Sequence, residues 1–245
     1  MNVKEYLVNK MKEGTIHMAL LDPDKQDCRE AGAIAKKMKD AGSDAMMIGG
    51  STGVTNENLS DTARSIKETS GLPTIHFPGS PSAISKDVDS IFFMSMVNSK
   101  DPFWIMNAQA GAAAYIRKLG IETISLGYII VEPGMKVGEV GNADTIKHNE
   151  TDRAVGYALA CEMFGMDLVY LEAGSGADSP VPPAMITAVK KAISIPLIVG
   201  GGIRTPEAAK AARLAGADAI VTGTFIERCS DDDMLRSVVK ASKGR

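Results

Sequence analysis

Several clusters in the sequence gather groups that chemistry needs. Leu21-Asp22-Pro23-Asp24-Lys25 sets two carboxylates just beyond an apolar run, and Gly49-Gly50-Ser51-Thr52-Gly53 sets hydroxyls among glycines beyond another. One carboxylate (Asp22), one hydroxyl (Ser51) and a few waters form an oxygen site of the kind Mg²⁺ accepts, because that ion keeps much of its water and binds substrate phosphates. Asp-Pro-Asp is equally the pattern of a turn closed by Asp side chains, and the residues alone leave both readings open. Tyr170 and Glu172 stand two apart at the end of the apolar run Leu168 to Leu171. On a strand they project to the same side. A carboxylate at an apolar strand end needs a partner; orienting or deprotonating a hydroxyl is one use of it, and a structural salt bridge is the other.

The last third carries the strongest signal. Pro196-Leu197-Ile198-Val199 runs into Gly200-Gly201-Gly202-Ile203-Arg204, and Ala217-Asp218-Ala219-Ile220-Val221 runs into Thr222-Gly223-Thr224. Glycine lets backbone N–H groups come close to an anion, and a following helix N-terminus adds partial positive charge. Two such turns at the same place in successive strand–helix units predict a phosphate site, in the position that eight-stranded α/β barrels use after strands seven and eight. The three histidines, His17, His76 and His148, form no nucleophile pattern with Cys, Ser or Asp and are given no role.

The elements that would hold these groups alternate along the chain. Strands are expected at His17 to Leu21, Asp44 to Ile48, Thr74 to Phe77, Ile91 to Ser95, Glu122 to Val131 and Leu168 to Leu171, followed by the two runs just described. Helical patterns lie between them: Ala31 to Ala41, a helix capped by Asn56 and reaching Thr69, one opened by Asp101-Pro102, Glu150 to Phe164, Pro182 to Ala192, Thr205 to Gly216 and finally Met234 to Ala241. The place between the third and fourth strands is an exception. Pro78-Gly79-Ser80-Pro81 leaves room for a short helix at most. The fold class is therefore a modified (β/α)8 TIM barrel with the third helix truncated or replaced by a loop, one domain over residues 1–245. Residues 132–149 are polar, contain Gly134, Gly138 and Gly141 and lack periodicity, so they read as a long loop acting as a lid over the site.

Bulk properties exclude several classes. With 44% hydrophobic and 23% charged residues and a net charge of −3, the chain has a globular balance and no basic excess for nucleic acid. Its 3 cysteines are widely spaced and make neither a disulfide framework nor a zinc motif. No apolar run is long enough to span a bilayer, and a cytoplasmic location is expected. The 14 methionines against 6 Phe and 1 Trp read as core filling, with a minority free to line a groove for a long apolar ligand.

Together these residues resemble the geranylgeranylglyceryl phosphate synthase family, prenyltransferases of archaeal lipid biosynthesis with bacterial heptaprenyl relatives. The likeness is carried by Leu21 to Lys25, Ile48 to Thr55, Tyr170-Leu171-Glu172-Ala173-Gly174-Ser175-Gly176, Gly200 to Arg204 and Thr222 to Thr224, with Val97 to Lys100 and Phe103-Trp104-Ile105 in support. The resemblance covers nearly the whole chain. It implies transfer of a geranylgeranyl group from geranylgeranyl diphosphate to the 3-hydroxyl of sn-glycerol 1-phosphate, making the first ether bond of archaeal membrane lipids. It implies Mg²⁺ at Asp22 and Ser51. It implies glycerol phosphate contacts along Tyr170, Leu171, Glu172, Ala173, Gly174, Ser175 and Gly176, at Gly201 and Gly202, and at Gly223 and Thr224. Glu172 would take the hydroxyl proton and Tyr170 would fix the substrate, while Phe77, Pro78, Phe103, Trp104 or nearby Met residues would border the hydrocarbon tail. The Ala-Gly-Ser-Gly stretch after Glu172 is longer than in the shorter bacterial-type members, which points to the larger archaeal-type group, a homo-oligomer, and membrane contact only through the product. An FMN-dependent barrel, a sugar-phosphate-converting barrel and a non-catalytic phosphate sensor are the competing readings of the glycine turns.

Overall fold

The computed structural model of the protein describes residues 2–50, 53–229 and 231–244. Short, largely apolar runs form β1 (Ile16–Leu21), β2 (Ala45–Ile48), β3 (Thr74–His76), β4 (Ser90–Met96), β5 (Glu122–Ile130), β6 (Leu168–Glu172), β7 (Leu197–Gly200) and β8 (Ala219–Thr222). Each strand pairs in parallel with the next, and β8 closes on β1 from Ile16↔Ala219 to Ala19↔Thr222. This is the predicted closed eight-stranded barrel.

Alternation along the strands sorts the core into an inner and an outer layer. Inward positions such as Met18, Met47, Ile75, Phe92, Leu126, Tyr128, Leu168, Tyr170 and Ile198 fill the barrel. Outward positions such as Ile129, Val169, Leu171 and Val199 pack under the helices, as do Ala19, Leu21, Met46 and Ile48. The helices are α1 (Val3–Glu13), α2 (Cys28–Ala41), α3 (Asn56–Ser70), α4 (Ala108–Leu119), α5 (Met135–Val140), α6 (Thr151–Met163), α7 (Pro183–Ala192), α8 (Pro206–Leu214), α9 (Thr224–Arg228) and α10 (Asp232–Lys243). Among the described residues no helix is long and apolar enough to cross a membrane.

Helix α1 lies outside the expected pattern. Val3, Leu7 and Met11, four apart, join the inner core and close the lower mouth of the barrel. Its first N–H groups are capped from afar, Val3 and Lys4 donating to the Glu122 carboxylate at 2.6 and 2.9 Å. At α3 the cap is Thr55 rather than Asn56, in a reciprocal capping box with Asn58. The Asn56 side chain instead accepts from the Ile84 N–H at 2.7 Å, pinning the segment between β3 and β4.

That segment, residues 77–89, forms turns and no helix, as its proline and glycine content requires. Beyond β4 the chain takes a π-helical turn, Phe103–Asn107, before α4 begins. The segment 132–149 departs from the expected open loop. It contains α5, buries Ile146, and is stitched to the barrel by the bridges Val131↔Ile146 and Ser99↔Ala143. The side chain of Asn98 fixes it further, donating to the carbonyls of Ile130 and Asp144 at 2.9 and 3.0 Å. These bonds explain how a glycine-containing polar stretch holds one conformation.

Candidate active site

Strand β6 delivers the central pair. Tyr170 and Glu172 both point into the barrel, and β5 brings Tyr128 alongside because Tyr128↔Tyr170 are register partners. The two phenol rings meet at 5.2 Å between centroids, and Phe77 packs on both. Glu172 is 6% exposed. Burial pushes its carboxyl above the usual carboxylate range, while the Tyr170 hydroxyl, the Gly174 N–H (2.6 Å to Oε1) and the Tyr128 hydroxyl pull it back. Among the described residues no cation contributes to that balance, so the salt-bridge reading has no partner. Both phenols are pushed well above their ordinary value by burial and by the neighbouring carboxylate, which keeps them as neutral donors. A protonatable carboxylate held among donors, and opening on a cleft, is suited to receive a hydroxyl proton.

The glycine turns after β7 and β8 enclose a small hollow of about 30 Å³ beside Glu172, with Ser175, Gly176, Gly201, Gly202, Gly223 and Thr224 in its wall. Among the described residues the amides of Gly201, Gly202, Gly223 and Thr224 donate to no backbone carbonyl, which leaves them for an anion. The hydroxyls of Ser175 and Thr224 meet across the rim at 2.5 Å. Gly201 has φ +82°, and a Cβ there would lie 2.4 Å from Glu172 Oε1 and 2.6 Å from the Gly174 nitrogen. Only glycine allows this turn to fold against the carboxylate. Gly223 is different: its φ is −122° and a Cβ would meet Leu20 at an ordinary 3.5 Å.

Within the expected run from Tyr170 to Gly176 the structure makes a distinction. Tyr170, Glu172, Ser175 and Gly176 line the hollow. Leu171 and Ala173 do not, since their side chains sit in the outer core layer. The Ala173 backbone is also committed, its N–H to Gly200 and its carbonyl to the Gly134 N–H. Gly174 spends its N–H on Glu172 and acts by holding that carboxylate.

The hollow adjoins a larger cleft of about 400 Å³, with Leu20, Glu172, Ser175, Gly223 and Thr224 common to both. Asp22, Lys25, Glu227 and Arg228 stand at the polar end of the cleft. Its other arm is apolar, walled by Phe77, Pro78, Ile84, Ile91, Phe93, Met94, Trp104, Ala108, Ala112 and Ile116. This arm occupies the place where a regular barrel would carry its third helix. Phe103 corrects the expectation: it is 37% exposed and only backs Trp104, edge to face at 5.0 Å, while Phe77, Pro78 and Trp104 do line the arm.

At the polar end the turn reading of Asp-Pro-Asp is met, and the first carboxylate is left bordering the cleft. The Asp22 carboxylate accepts from the Asp24 N–H at 3.2 Å, closing a turn. It also faces the cleft, and burial raises its pKa, with Lys25 only 3.5 Å away in partial compensation. Gly50 makes the space, since a Cβ there would lie 2.3 Å from Asp22 Oδ1. Ser51, the expected second oxygen, lies outside the described residues. Among the described residues no group of three or more acidic, His or Cys side chains could hold a metal by itself. The donor set therefore fits an ion bound by one carboxylate with water and substrate oxygens, as Mg²⁺ binds, and does not fit an all-protein cage. Tyr128 and Glu227, the latter accepting from the Asp22 N–H at 3.0 Å, belong to the site but carry no local sequence signal. Register and tertiary folding alone bring them in.

The sequence matches the model described as the PcrB family over residues 8–242. Geranylgeranylglyceryl phosphate synthase of Thermococcus kodakarensis is 51% identical over 234 residues, covering 96% of this chain and 93% of that protein. Its counterpart from Methanosphaera stadtmanae is 50% identical over 231 residues, covering 94% and 95%. The crystal structure of (S)-3-O-geranylgeranylglyceryl phosphate synthase from Thermoplasma acidophilum, in complex with substrate sn-glycerol-1-phosphate, superposes with a TM-score of 0.97 at 42% identity and covers 100% of both chains.

Proposed function

The chain belongs to the PcrB family, and we propose that its cleft joins sn-glycerol 1-phosphate, held by the glycine turns, to a geranylgeranyl group lying in the apolar arm. The protein is a prenyltransferase that transfers the geranylgeranyl group to sn-glycerol 1-phosphate. One observation carries the assignment of sites: Glu172 stands where the anion hollow and the apolar arm meet. The FMN and sugar-phosphate readings use the hollow and leave the arm without a purpose.

The residues divide the work by position. Amides of Gly201, Gly202, Gly223 and Thr224, with the hydroxyls of Ser175 and Thr224, receive the phosphate of the acceptor. That anchor points the glycerol toward Tyr170 and Glu172. Glu172 accepts the proton of the 3-hydroxyl as the oxygen attacks the allylic carbon, and the C–O bond to diphosphate breaks. Tyr170 and Tyr128 hold the carboxylate in place and shield it from the bulk. The aromatic packing of Phe77 against both tyrosines keeps water from the electrophilic carbon. Geranylgeranyl diphosphate, the donor in this reading, sets its diphosphate beside Asp22, Lys25 and Arg228 and its tail along the arm.

Asp22, together with Ser51, would hold Mg²⁺ there. The ion, when bound, neutralises charge growing on the leaving diphosphate oxygens. The same reading carries ether-lipid synthesis of the archaeal type, a homo-oligomer, a cytoplasmic location, and membrane contact only through the product. Light scattering and cell fractionation test the last three.

The direct experiment supplies the protein with sn-glycerol 1-phosphate, Mg²⁺ and prenyl diphosphates of graded length. The expected result is an ether product and stoichiometric diphosphate, with the C20 donor preferred. Glycerol phosphate binding without diphosphate release from any donor would support the sensor reading instead.

A further inference from the structure

The wall of the apolar arm contains an irregularity that the transfer chemistry does not use. Between β4 and α4 the chain makes a π-helical turn, Phe103–Asn107, closed by the Ala108 N–H bonding Phe103 O. Such turns are rare and leave carbonyls poorly served. Here two side chains serve them. Ser95 on β4 donates through Oγ to Ile105 O at 2.7 Å. Gln109, at the start of α4, donates through Nε2 to Trp104 O at 3.1 Å and to Met94 O at 2.5 Å. The two carbonyls fix the orientation of the amide, because a flipped amide would turn oxygen toward oxygen.

Gln109 retains this role against a penalty. Among the described residues its Oε1 is buried with no partner, in an arm otherwise walled by Ile, Ala, Met, Pro and aromatic side chains. A Met or Leu would fill the same space without an unpaired oxygen. The donor function is what distinguishes the glutamine from those residues.

We propose that Ser95 and Gln109 form a latch that sets Trp104 as a wall of the prenyl groove, and are therefore positioning residues for the donor. Neither touches the phosphate hollow. Their shared effect runs through Trp104 on how a long isoprenoid tail is gripped, and Ser95, which does not line the cleft, separates it from the direct contact of Gln109, which does. This rests on the prenyltransferase reading given above.

The test uses Gln109→Met and Ser95→Ala in the full chain, with the parent protein run first. Trp104 is the only tryptophan of the sequence, so its emission reports the wall directly. The expected result is a shifted emission maximum, and a KM for geranylgeranyl diphosphate raised roughly 3- to 10-fold, the scale of one lost hydrogen bond. The preference for the C20 donor over the C15 donor should change in both variants, while the KM for sn-glycerol 1-phosphate stays unchanged. Folded variants with unaltered emission and donor preference overturn the proposal. So does an equal loss for both substrates, or failure of both variants to fold, since each assigns the pair a structural role only. A parent protein that transfers no prenyl group would refute the enzymatic reading, an outcome separate from these.

Discussion

The two halves of the cleft are built by opposite means. On the β6–β8 side the barrel is regular, and function comes from backbone: glycine turns, free amides and a carboxylate locked by Tyr170, Tyr128 and Gly174. On the β3–β4 side function comes from an omission. Without a helix between β3 and β4, the outer face of β4 and the inner side of α4 border an apolar trench in place of a packed core. An anion needs donors at fixed positions, which backbone supplies with least freedom. A hydrocarbon needs only volume and the exclusion of water, which a missing element supplies. The halves therefore differ in tolerance, the first breaking on single atoms and the second responding to volume.

The largest effect is expected at the junction. Glu172→Gln should lower kcat by ~10²-fold or more, the usual scale for loss of a general base, while the KM for sn-glycerol 1-phosphate moves less. Burial raises the Glu172 pKa, so the ionised form is disfavoured in the fold and its contribution to stability falls as pH rises through that pKa. The Gln variant should accordingly melt no lower than the parent at neutral pH. In the parent, kcat/KM should climb with pH along a limb whose apparent pKa lies above the ordinary carboxylate range, and the limb should vanish in the variant. A lower melting point with retained turnover would make Glu172 a structural residue.

Within the cradle, the two glycines separate geometry from bulk. Gly201→Ala places a Cβ against Glu172 Oε1 at a positive φ and should reduce kcat/KM for the glycerol substrate by roughly 10- to 100-fold, the loss of one or two charge-assisted hydrogen bonds. Gly223→Ala, with space beside Leu20, should do less, and Gly223→Val should raise the same KM while sparing the prenyl diphosphate. Equal losses at both positions, seen in steady-state kinetics with circular dichroism confirming the fold, would dissolve the distinction.

At the trench, Ala112→Phe should discriminate by length. A side chain filling the arm between Ile84 and Ile116 should depress use of the C20 donor about tenfold relative to a C10 donor, in the range that pocket methylenes provide. Smallest is Asp22→Asn, expected to raise the Mg²⁺ requirement several-fold, the effect of one weakened ion contact, with the melting curve unmoved. Unchanged metal dependence would remove Asp22 from the diphosphate end.

Legibility in the sequence followed the same division. The cradle was readable because its signals are local: Gly200 to Gly202 and Gly223 each directly follow a β-branched run, and Tyr170 and Glu172 share a face by strand periodicity alone. The missing helix was readable from Pro78 to Pro81. The lining of the trench was not, because Ile84, Met94, Ala112 and Ile116 are generic apolar residues whose convergence is set by three separate segments. Tyr128 required the β5–β6 register. Leu171 and Ala173, drawn into the site by their neighbours, belong to the opposite face of β6 by the same period of two that places Tyr170 and Glu172. Helix α1 had a clear signature in Asn2 with Val3, Leu7 and Met11, but an alternating barrel pattern does not call for it.

The continuity of hollow and trench has a consequence for turnover. In the proposed arrangement each substrate would grip one half and the product both, its tail and its phosphate joined by the new ether bond. When one end lets go, the other keeps it at high effective concentration, and it rebinds before it can diffuse away. On that placement the product would act as a bivalent inhibitor of the enzyme, and its departure rather than bond formation is expected to set the pace once chemistry is fast. A hydrophobic sink, such as a bilayer that accepts the tail as it slides out, would then take part in the catalytic cycle without contributing a single reacting group.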